Sequence, residues 1–469
     1  MSEWRFQLKL NEYLCPNRFG RFSFKLRIPV SESILLPEEV RNIIDTPEFQ
    51  RLRGIRQLGP TIFVFPGANH TRFEHSLGTY FLSLKYLERL MDVPLFREIC
   101  ESLDEAVKLI VLSSLLHDIG HYPYSHWIEE IGEINAIKFP THEDRAKQII
   151  KNGCIGRLIE KHWEVNPEDL TNIIAGKPLH RKIELLVNSI INSPIDVDKV
   201  DYLIRDSIHC GVNYGKGIDV ERLLISLYID PSTSRICLTD KGRSCLLSIL
   251  GCRNIMYQEV YWHKTVRACT AMFKRFFYEY VKREIDDLES IKSYFEYPDD
   301  EFVNVLFKKS KTYDELSKLI TSFAFKGRSL YKPAYIFSKS NLSEEPYNTR
   351  EFFIKILEKS SYKRLVDISN VLAERLQRLI KGLEPHDILI DTTPIKAERE
   401  IYKLDGFKIW NIRKERFETY PREVNALNEY LRNNMQAYIF CNPKYYRDIK
   451  ELALQGKLDK ILGEIIDEV

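Results

Sequence analysis

The chain has 469 residues, of which 44% are hydrophobic and 29% charged, values typical of a folded protein with a large core. Its 69 basic and 67 acidic side chains leave a formal net charge of +2, without the basic excess of a dedicated nucleic-acid-binding protein, which favours a small phosphorylated ligand in a local pocket. The nine cysteines include no CxxC pair, which argues against a disulfide framework and for reduced thiols.

The N-terminal segment, residues 1–40, begins with the polar sequence MSEWRFQLKLNEYL, which lacks the apolar stretch of a signal peptide. Elsewhere the apolar runs, such as KLIVLSSLLH, are shorter than the roughly 20 residues that a membrane-spanning helix needs. We therefore expect a cytoplasmic protein without a membrane span.

Helical patterns dominate the chain after this segment. Residues 72–92 place apolar side chains at helical spacing, and residues 103–118 form an almost wholly apolar run that predicts a buried helix. Pro123 cannot continue that helix, and Thr141 with Asp144 resembles a capping box at the start of the next one. The pattern predicts further long helices at 181–193, 198–208, 244–287 and 363–382.

Few segments predict strands. LLISLYIDPSTSRICLTD predicts a β-hairpin around a Pro/Ser/Thr turn, and DILIDTT and MQAYIFCN predict short strands near the C-terminus. We expect a mainly α protein with a helical core, a small β-hairpin and a smaller mixed α/β C-terminal lobe. The predicted domains are the segment 1–40, a catalytic core over 41–290, and a regulatory or oligomerisation lobe over 291–469.

The histidines are unevenly distributed. Six of the eleven lie between residues 70 and 142, where an even distribution would place fewer than two. His117 and Asp118 close the apolar helix, where an unpaired carboxylate would cost several kcal/mol. A lone His–Asp pair more often braces a core than binds a metal. Imidazoles combined with carboxylates nevertheless suit a divalent ion such as Mn, Fe, Zn or Ni.

The order of His75, the His117–Asp118 pair and Asp198 resembles the H…HD…D arrangement of the HD-domain phosphohydrolase superfamily. This resemblance implies that the helical core is an HD domain and that these four side chains hold one divalent metal ion. Four protein ligands would leave coordination positions for water and a phosphate oxygen, as hydrolysis requires.

Longer motifs resemble one branch of this superfamily, the dNTP triphosphohydrolases, which include bacterial dGTPases and the vertebrate sterile-alpha-motif/HD-domain enzyme. These motifs follow the family's order: IIDTPEFQRLRGIRQLGPTIFVFPGANHTRFEHSLG, HDIGHYPYSH, THED, IDVDKVDYLIRD and RNIMYQEVYWHK. The resemblance implies hydrolysis of a dNTP to deoxynucleoside and inorganic triphosphate by attack at the α-phosphorus, with Mg²⁺ accompanying the substrate phosphates.

The resemblance also assigns the proton chemistry to histidines, which titrate near neutral pH. His126, oriented by Glu129, would protonate the leaving 5′-oxygen, and His121 and His142 would steady the α-phosphate. His121 would share the helix face of His117 if that helix continued. The alternative for His142 is a solvent-exposed residue at a helix start.

A substrate pocket follows from the same resemblance. Gln57 and Asp206 would hydrogen-bond the 3′-hydroxyl, and Leu58 and Tyr261 would close against C2′ and exclude a ribose. The alternative for Tyr261 is an ordinary aromatic residue in a long, tyrosine-rich helix. Three cations and a hydroxyl donor would meet the triphosphate: Arg72, Lys199, Arg253 and Tyr202. Taken singly, each of these four would more often be a solvated or salt-bridged surface residue, but together they favour a phosphate pocket.

Several members of the family are tetramers activated by nucleotides bound between subunits, so the resemblance implies a homo-oligomer, a dimer or tetramer, and a nucleotide activator. Asp45, Gln50 and Arg53 match positions that read a guanine activator. The preceding segment, FSFKLRIPVSESILLP, departs from the family's DPIHG-type pattern and has Lys25 only beside the position of the expected lysine, which weakens the case for activation by dGTP. Because about 40 residues precede IIDTPEFQ, we expect no sterile-alpha-motif domain.

Two alternatives stay open. The protein could be an HD-domain phosphohydrolase of another nucleotide or of single-stranded nucleic acid, or a nucleotide-sensing scaffold that uses the fold for interaction. The complete set of metal ligands argues against a scaffold. The row of phosphate-binding cations argues against a monophosphatase.

Overall fold

The computed structural model describes residues 24–31, 33–310, 314–323, 326–359, 361–393, 407–419 and 422–466. The prediction that no signal peptide opens the chain rests on residues 1–14, which lie outside this part. Within the described residues, no helix is long and apolar enough to cross a membrane. The eight cysteines in the same ranges are free thiols.

Helices dominate the chain up to residue 292. They are α1 (Glu38–Ile44), α2 (Pro47–Gln50), α3 (Arg72–Leu90), α4 (Pro94–Ile99), α5 (Leu103–Leu116), α6 (Trp127–Ile131), α7 (His142–Asn152), α8 (Cys154–Leu158), α9 (Pro167–Ala175), α10 (Lys182–Ile191), α11 (Val197–His209), α12 (Val220–Ser226), α13 (Arg243–Met256), α14 (Lys264–Glu284) and α15 (Leu288–Lys292). The two helices predicted from apolar spacing at 72–92 and 103–118 are confirmed as α3 and α5.

The chain after residue 292 combines helices with strands. The helices are α16 (Asp299–Ser310), α17 (Asp314–Ile320), α18 (Tyr347–Lys359), α19 (Tyr362–Gln377), α20 (Arg422–Asn433), α21 (Tyr446–Leu454) and α22 (Lys457–Ile465). The strands of the whole described chain are β1 (Phe24–Arg27), β2 (Ser33–Leu36), β3 (Glu133–Ile134), β4 (Ile137–Lys138), β5 (Leu227–Asp230), β6 (Arg235–Thr239), β7 (Lys332–Ser338), β8 (Ile388–Thr392), β9 (Lys408–Asn411), β10 (Arg416–Thr419) and β11 (Gln436–Cys441). The prediction of a mainly α protein with a mixed C-terminal part is confirmed.

The strands form small sheets. The predicted hairpin is confirmed as the antiparallel pair β5–β6, although its first four predicted residues belong to α12. Strand β9 pairs in parallel with β6 and extends this sheet to the order β10-β9-β6-β5. A three-stranded sheet has β11 between β7 and β8, so both strands predicted near the C-terminus lie in it. Pairs β1–β2 and β3–β4 are separate hairpins.

Two helix predictions are wrong. The segment 244–287 is not one helix, because α13 ends at Met256 and a π-helical turn, Tyr257–Tyr261, separates it from α14. The helix that precedes His117 does not continue to His121 either, so the two histidines do not share a helix face. In the segment that follows, Gly120 packs against the start of α7, where a Cβ atom would overlap the carbonyl oxygen of His142.

The apolar core has two main clusters. The first lies among α3, α5, α10 and α11. The second joins residues 122–139 to α14 and to the three-stranded C-terminal sheet. Helix α6 therefore packs with the C-terminal part of the chain, and the loop that precedes it joins the two clusters. The predicted domain boundary at residue 290 stays a prediction.

Candidate functional site

Three separate elements position the four predicted metal ligands. His75 lies on α3, His117 and Asp118 directly follow α5, and Asp198 lies in the first turn of α11. Asp196 is the N-cap of α11, and its Oδ1 accepts a hydrogen bond at 2.6 Å from the N–H three residues later. This cap fixes the turn that carries Asp198.

The donor atoms of these side chains converge. Nε2 of His75 lies 3.3 Å from Nε2 of His117 and 3.0 Å from Oδ1 of Asp198. Asp118 places Oδ2 3.5 Å from Nε2 of His75 and Oδ1 3.6 Å from Nε2 of His117. Two ligand atoms bound about 2.1 Å from one metal ion lie about 3.0 to 3.4 Å apart. The cluster therefore has the dimensions of one coordination shell.

The hydrogen bonds of the outer nitrogens leave the inner nitrogens of both histidines available to a metal ion. Nδ1 of His75 lies 2.8 Å from Oδ2 of Asp201, and Nδ1 of His117 lies 2.9 Å from the carbonyl oxygen of Ser114. Because these oxygens accept hydrogen bonds, each Nδ1 carries the proton and each Nε2 presents a lone pair. Two lone pairs that face each other at 3.3 Å repel unless a cation lies between them. The donor set therefore fits a divalent metal ion.

Neighbouring charges keep the two ligand carboxylates ionised. Burial alone would raise the pKa of Asp118, but Arg72 and the adjacent histidines hold this pKa well below its usual range. Burial would likewise raise the pKa of Asp198, but hydrogen bonds from the two ligand histidines lower it. Burial alone would lower the pKa of His75, but Asp198 and Asp201 raise it to about 10. Without a metal the site therefore attracts protons in its place.

A second cluster contains the predicted catalytic side chains: donor atoms of His121, His126, Glu129 and His142 lie within 4.8 Å of one another. Nδ1 of His142 lies 3.0 Å from Oε1 of Glu129, and Nδ1 of His126 lies 3.6 Å from Oε2. Glu129 thus contacts two histidines, whereas the sequence paired it with His126 alone. The helix start predicted at Thr141 is confirmed, and His142 is its first residue.

The two clusters are connected. Nε2 of His121 lies 3.0 Å from Oδ1 of Asp118, and the ring of His121 stacks on that of His142 with 4.3 Å between centroids. Burial and Arg72 hold the pKa of His121 well below its usual range. Burial would lower the pKa of His142 too, but Glu129 raises it. The stacked pair therefore combines a neutral imidazole with one that favours its charged form.

Two of the predicted phosphate-binding cations are buried against carboxylates. Arg72 donates from Nη1 to Oδ2 of Asp118 at 2.6 Å and from Nη2 to Oγ of Ser125 at 3.1 Å. Lys199 donates from Nζ to Oδ2 of Asp196 at 2.9 Å. Both cations thus border the metal-ligand segments, and each already has an acidic partner.

Helix α11 arranges further predicted residues in a row. Asp198, Tyr202 and Asp206 are spaced by four residues and therefore lie on one face of the helix. The third predicted cation, Arg253, is buried on α13, with its guanidinium 5.2 Å from the ring centroid of Tyr257. Helices α11 and α13 pack against each other.

The carboxylate of Asp206 has two hydrogen-bond partners: Tyr261, a predicted sugar-binding residue, and His70, which was not predicted to bind the sugar. Its Oδ1 lies 2.7 Å from Nε2 of His70, and its Oδ2 accepts a hydrogen bond from the hydroxyl of Tyr261 at 2.6 Å. The N–H of Gln57 donates to the carbonyl oxygen of His70 at 3.0 Å, and Leu58 packs against the first core cluster. The structure thus brings Gln57, Asp206 and Tyr261 to one place around a buried histidine.

Sequence reasoning assigned no role to His70 or Asp201. His70 belongs to the unusual concentration of histidines, but nothing local indicates its partner. Asp201 follows Asp198 by three residues on a helix, and this spacing places both carboxylates on neighbouring positions of one face. The spacing that indicates Asp201 was therefore visible in the sequence, whereas no local pattern indicated the partner of His70.

The predicted activator residues lie near α2. Arg53 donates from Nε to Oε1 of Gln50 at 2.8 Å, and its guanidinium lies 3.6 Å from the ring centroid of Phe73. Asp45 instead accepts a hydrogen bond from Arg41 at 3.1 Å. The structure therefore joins Gln50 to Arg53 and pairs Asp45 with a different cation.

Comparison with protein families agrees with this arrangement. A family described as HD domain matches residues 72–206, and one described as HD associated region matches residues 218–456, just over half of the chain. The chain belongs to the HD-domain family. The four candidate ligands lie inside the matched HD domain, and this membership implies a divalent metal ion and places the protein among metal-dependent phosphohydrolases.

Individual relatives cover most of the HD-domain chain. It is 31% identical over 446 residues to an uncharacterized protein of Methanocaldococcus jannaschii, which is 94% of this chain and 84% of that protein. It is 27% identical over 429 residues to a deoxynucleoside triphosphate triphosphohydrolase SAMHD1 homolog of Dictyostelium discoideum, which is 87% of this chain and 75% of that protein. The fold also resembles the crystal structure of a hypothetical protein from Aquifex aeolicus, with a TM-score of 0.66 and 24% sequence identity. The match covers 91% of this chain and 99% of the Aquifex chain, and at this identity it supports the fold alone.

Proposed function

We propose that this protein hydrolyses dNTPs to deoxynucleoside and inorganic triphosphate. The observation that carries the proposal is the contact between the metal-ligand cluster and the histidine cluster, with His121 3.0 Å from Asp118. Groups for phosphate activation and for proton transfer thus lie side by side. The similarity to a relative named as a deoxynucleoside triphosphate triphosphohydrolase supports the choice of substrate.

A divalent ion held by His75, His117, Asp118 and Asp198 would polarise a phosphate oxygen and lower the pKa of bound water. We propose Mn, Fe, Zn or Ni for this position, because the donors combine imidazole and carboxylate. Mg²⁺ would accompany the substrate phosphates.

The second cluster would move the proton. The side chain of His126 is 49% exposed, so it can exchange protons with solvent between turnovers. Glu129, 3.6 Å from its Nδ1, would orient the imidazole so that it protonates the leaving 5′-oxygen of the sugar. His142 favours its charged form beside Glu129 and would bind an α-phosphate oxygen together with His121.

The remaining predicted residues would read the nucleotide. Arg72, Lys199, Arg253 and Tyr202 would bind phosphate oxygens. Asp206 and Gln57 would hydrogen-bond the 3′-hydroxyl. Tyr261, fixed by its hydrogen bond to Asp206, would pack with Leu58 against C2′ and leave no room for a ribose hydroxyl.

The proposal extends to a cytoplasmic homo-oligomer, a dimer or tetramer, with a nucleotide activator near Gln50 and Arg53. The exposed contact between these two side chains supports a guanine-binding position. For Asp45 to join them, its ion pair with Arg41 has to open. A titration with dGTP, followed by activity and by molecular mass, tests this part separately.

Product analysis tests the reaction. Each dNTP and NTP is incubated with the protein and a panel of divalent metals, and the products are separated by ion exchange. We expect triphosphate and deoxynucleoside from dNTPs, no product from NTPs, and no activity in His117→Ala. His162→Ala, a change of an exposed histidine outside the site, is the matched control. Release of pyrophosphate and a monophosphate would contradict the proposal.

A further inference from the structure

A buried carboxylate from the C-terminal part of the chain contacts two segments of the candidate site. Asp299, the first residue of α16, has no exposed surface. Its Oδ1 accepts a hydrogen bond from the N–H of Tyr124 at 2.8 Å, and its Oδ2 accepts one from the N–H of Arg56 at 3.0 Å. The Asp299 side chain thus joins two segments. One is the loop between α5 and α6, residues 117–126, which carries His121 and His126 and which we call the Tyr124 loop; the other is the segment that carries Gln57.

The first of these segments has an unusual backbone. Tyr124 and Ser125 have φ angles of 57° and 63°, in the left-handed region that favours glycine. Such a conformation persists only when surrounding contacts hold it. Besides Asp299, these contacts include the hydroxyl of Ser125, which donates to the carbonyl oxygen of Arg56 at 3.1 Å and accepts from Arg72 at 3.1 Å. The loop therefore depends on tertiary partners for its shape.

A short segment, residues 295–300, which we call the strap, is linked to the same loop at a second point through Arg51. Arg51 donates to the carbonyl oxygens of Ile119 at 2.8 Å and His121 at 2.9 Å, and also to that of Phe295 in the strap at 3.1 Å. The two ends of the loop are thus tied to one short piece of chain that lies far away in sequence.

We propose that Asp299 is a positioning residue of the active site, whose carboxylate holds the Tyr124 loop against the Gln57 segment in the arrangement that hydrolysis requires. This inference rests on the proposed function. Asp299 acts through the backbone of Tyr124 and Arg56, so its removal changes the placement of His121 and the neighbouring catalytic side chains.

The energetics separate this role from ordinary structural support. Burial raises the pKa of Asp299 to about 6, so the ionised carboxylate is disfavoured at this position. The charged and titratable groups that face it are the Arg56 guanidinium, 3.6 Å away, the Arg51 guanidinium, the carboxylate of Asp300 and Tyr124. Because its folded-state pKa is raised, the ionised carboxylate lowers the stability of the folded state above about pH 6 instead of contributing to it. Removing its charge should therefore lower turnover without lowering Tm.

The test compares Asp299→Asn with Asp300→Asn. An amide at 299 can accept from one of the two N–H groups but turns an NH₂ toward the other. Asp300 is the matched control, because it pairs with the same Arg56 from a position whose side chain is 54% exposed.

We expect Asp299→Asn to lower kcat for triphosphate release at least tenfold, with KM changed less than threefold and Tm at pH 8 no lower than that of the wild type. Asp300→Asn should stay within twofold of the wild type. Equal losses in both variants, or a kcat for Asp299→Asn within twofold of the wild type, would overturn the inference.

A second measurement needs no variant and no substrate. In the wild-type protein, amide exchange of Tyr124 and Arg56 is followed from pH 8 to pH 5, after correction for intrinsic rates. Protonation of Asp299 removes one acceptor, so protection of these amides should fall below about pH 6. Constant protection over this range would contradict the role of the carboxylate. If the wild type releases no triphosphate, the proposed function fails, and this exchange experiment still decides whether Asp299 holds the loop.

Discussion

Nδ1 of His75 lies 2.8 Å from Oδ2 of Asp201, and this carboxylate in turn accepts two hydrogen bonds from Arg205. The arrangement fixes both the tautomer and the orientation of the His75 ring. Carboxylates in this position also raise the basicity of the ligand nitrogen. Asp201 would therefore support metal binding by His75 without providing a ligand atom itself.

We expect Asp201→Asn to weaken metal binding about 10- to 100-fold, the usual loss when such an outer partner is changed. An amide accepts the histidine N–H less strongly and leaves Arg205 with one acidic partner, Glu74. Titration of metal-free protein with Mn²⁺ or Zn²⁺ measures the affinity. Glu74→Gln is the control, because it disturbs Arg205 without a contact to the ring of His75. Equal losses in the two variants would assign the effect to Arg205.

Arg72 provides a pH-dependent prediction. Its guanidinium lies 2.6 Å from Asp118 and is the largest influence that lowers the pKa of this carboxyl against burial. In Arg72→Gln this pKa should rise, so protons should compete with the metal at a higher pH. The metal affinity of the variant should therefore fall more steeply than that of the wild type between pH 8 and pH 6. Arg72→Lys retains the charge and should lie between the two, whereas parallel pH profiles would contradict this account.

A buried ion cluster connects α6 to the C-terminal sheet. Glu130 lies 3.0 Å from Lys274 and 3.5 Å from Arg267, and both cations also contact Asp391 on β8. Burial alone would raise the pKa of Glu130, but Lys274 and Arg267 hold it at about 2. Because the folded-state pKa is depressed, the contribution to stability is complete above the unfolded value of about 4.3 and is lost as the pH falls toward 2.

We expect Glu130→Gln to lower the free energy of unfolding by about 3 kcal/mol at pH 7, following the size of this pKa shift. The difference from the wild type should shrink as the pH falls from about 4.5 toward 2, because the wild-type carboxylate is then protonated. Urea unfolding at several pH values measures it. Glu315→Gln removes a more exposed ion pair with Arg283 and should cost less than about 1 kcal/mol. A loss in Glu130→Gln that does not change with pH would contradict the prediction.

Local sequence patterns predicted the elements that carry the metal ligands. The apolar spacing of α3 and α5 is strong enough to define both helices to within two residues. The interruption at Tyr257–Tyr261 was not predictable, because no glycine or proline marks this π-helical turn. Strand β7 was also missed, since its burial depends on pairing with β11 about 100 residues later.

The site shows the same division between local and distant information. Motif order identified the four candidate ligands, which the structure places together. The contact of Asp299 with the Tyr124 loop and the ion pairs of Lys274 with Glu130 and Asp391 join residues more than 100 positions apart. Such contacts leave no periodic trace in a single sequence, and they became visible only in the folded chain.

The last prediction concerns His70, whose imidazole is buried between Asp206 and the stacked ring of His209. Removing it leaves Tyr261 as the remaining partner of the Asp206 carboxylate among the contacts described for it, so this carboxylate should lose its orientation toward the sugar. We expect His70→Ala to raise KM for dNTPs about tenfold, a loss of roughly 1.4 kcal/mol, which is typical of one hydrogen bond to a charged group. Because both changes disrupt one contact, His70→Ala and Asp206→Asn should be non-additive in a double-mutant cycle. His180→Ala, at an exposed position, serves as the control. Strict additivity of the two changes in KM would show that His70 supports the fold and not the sugar contact.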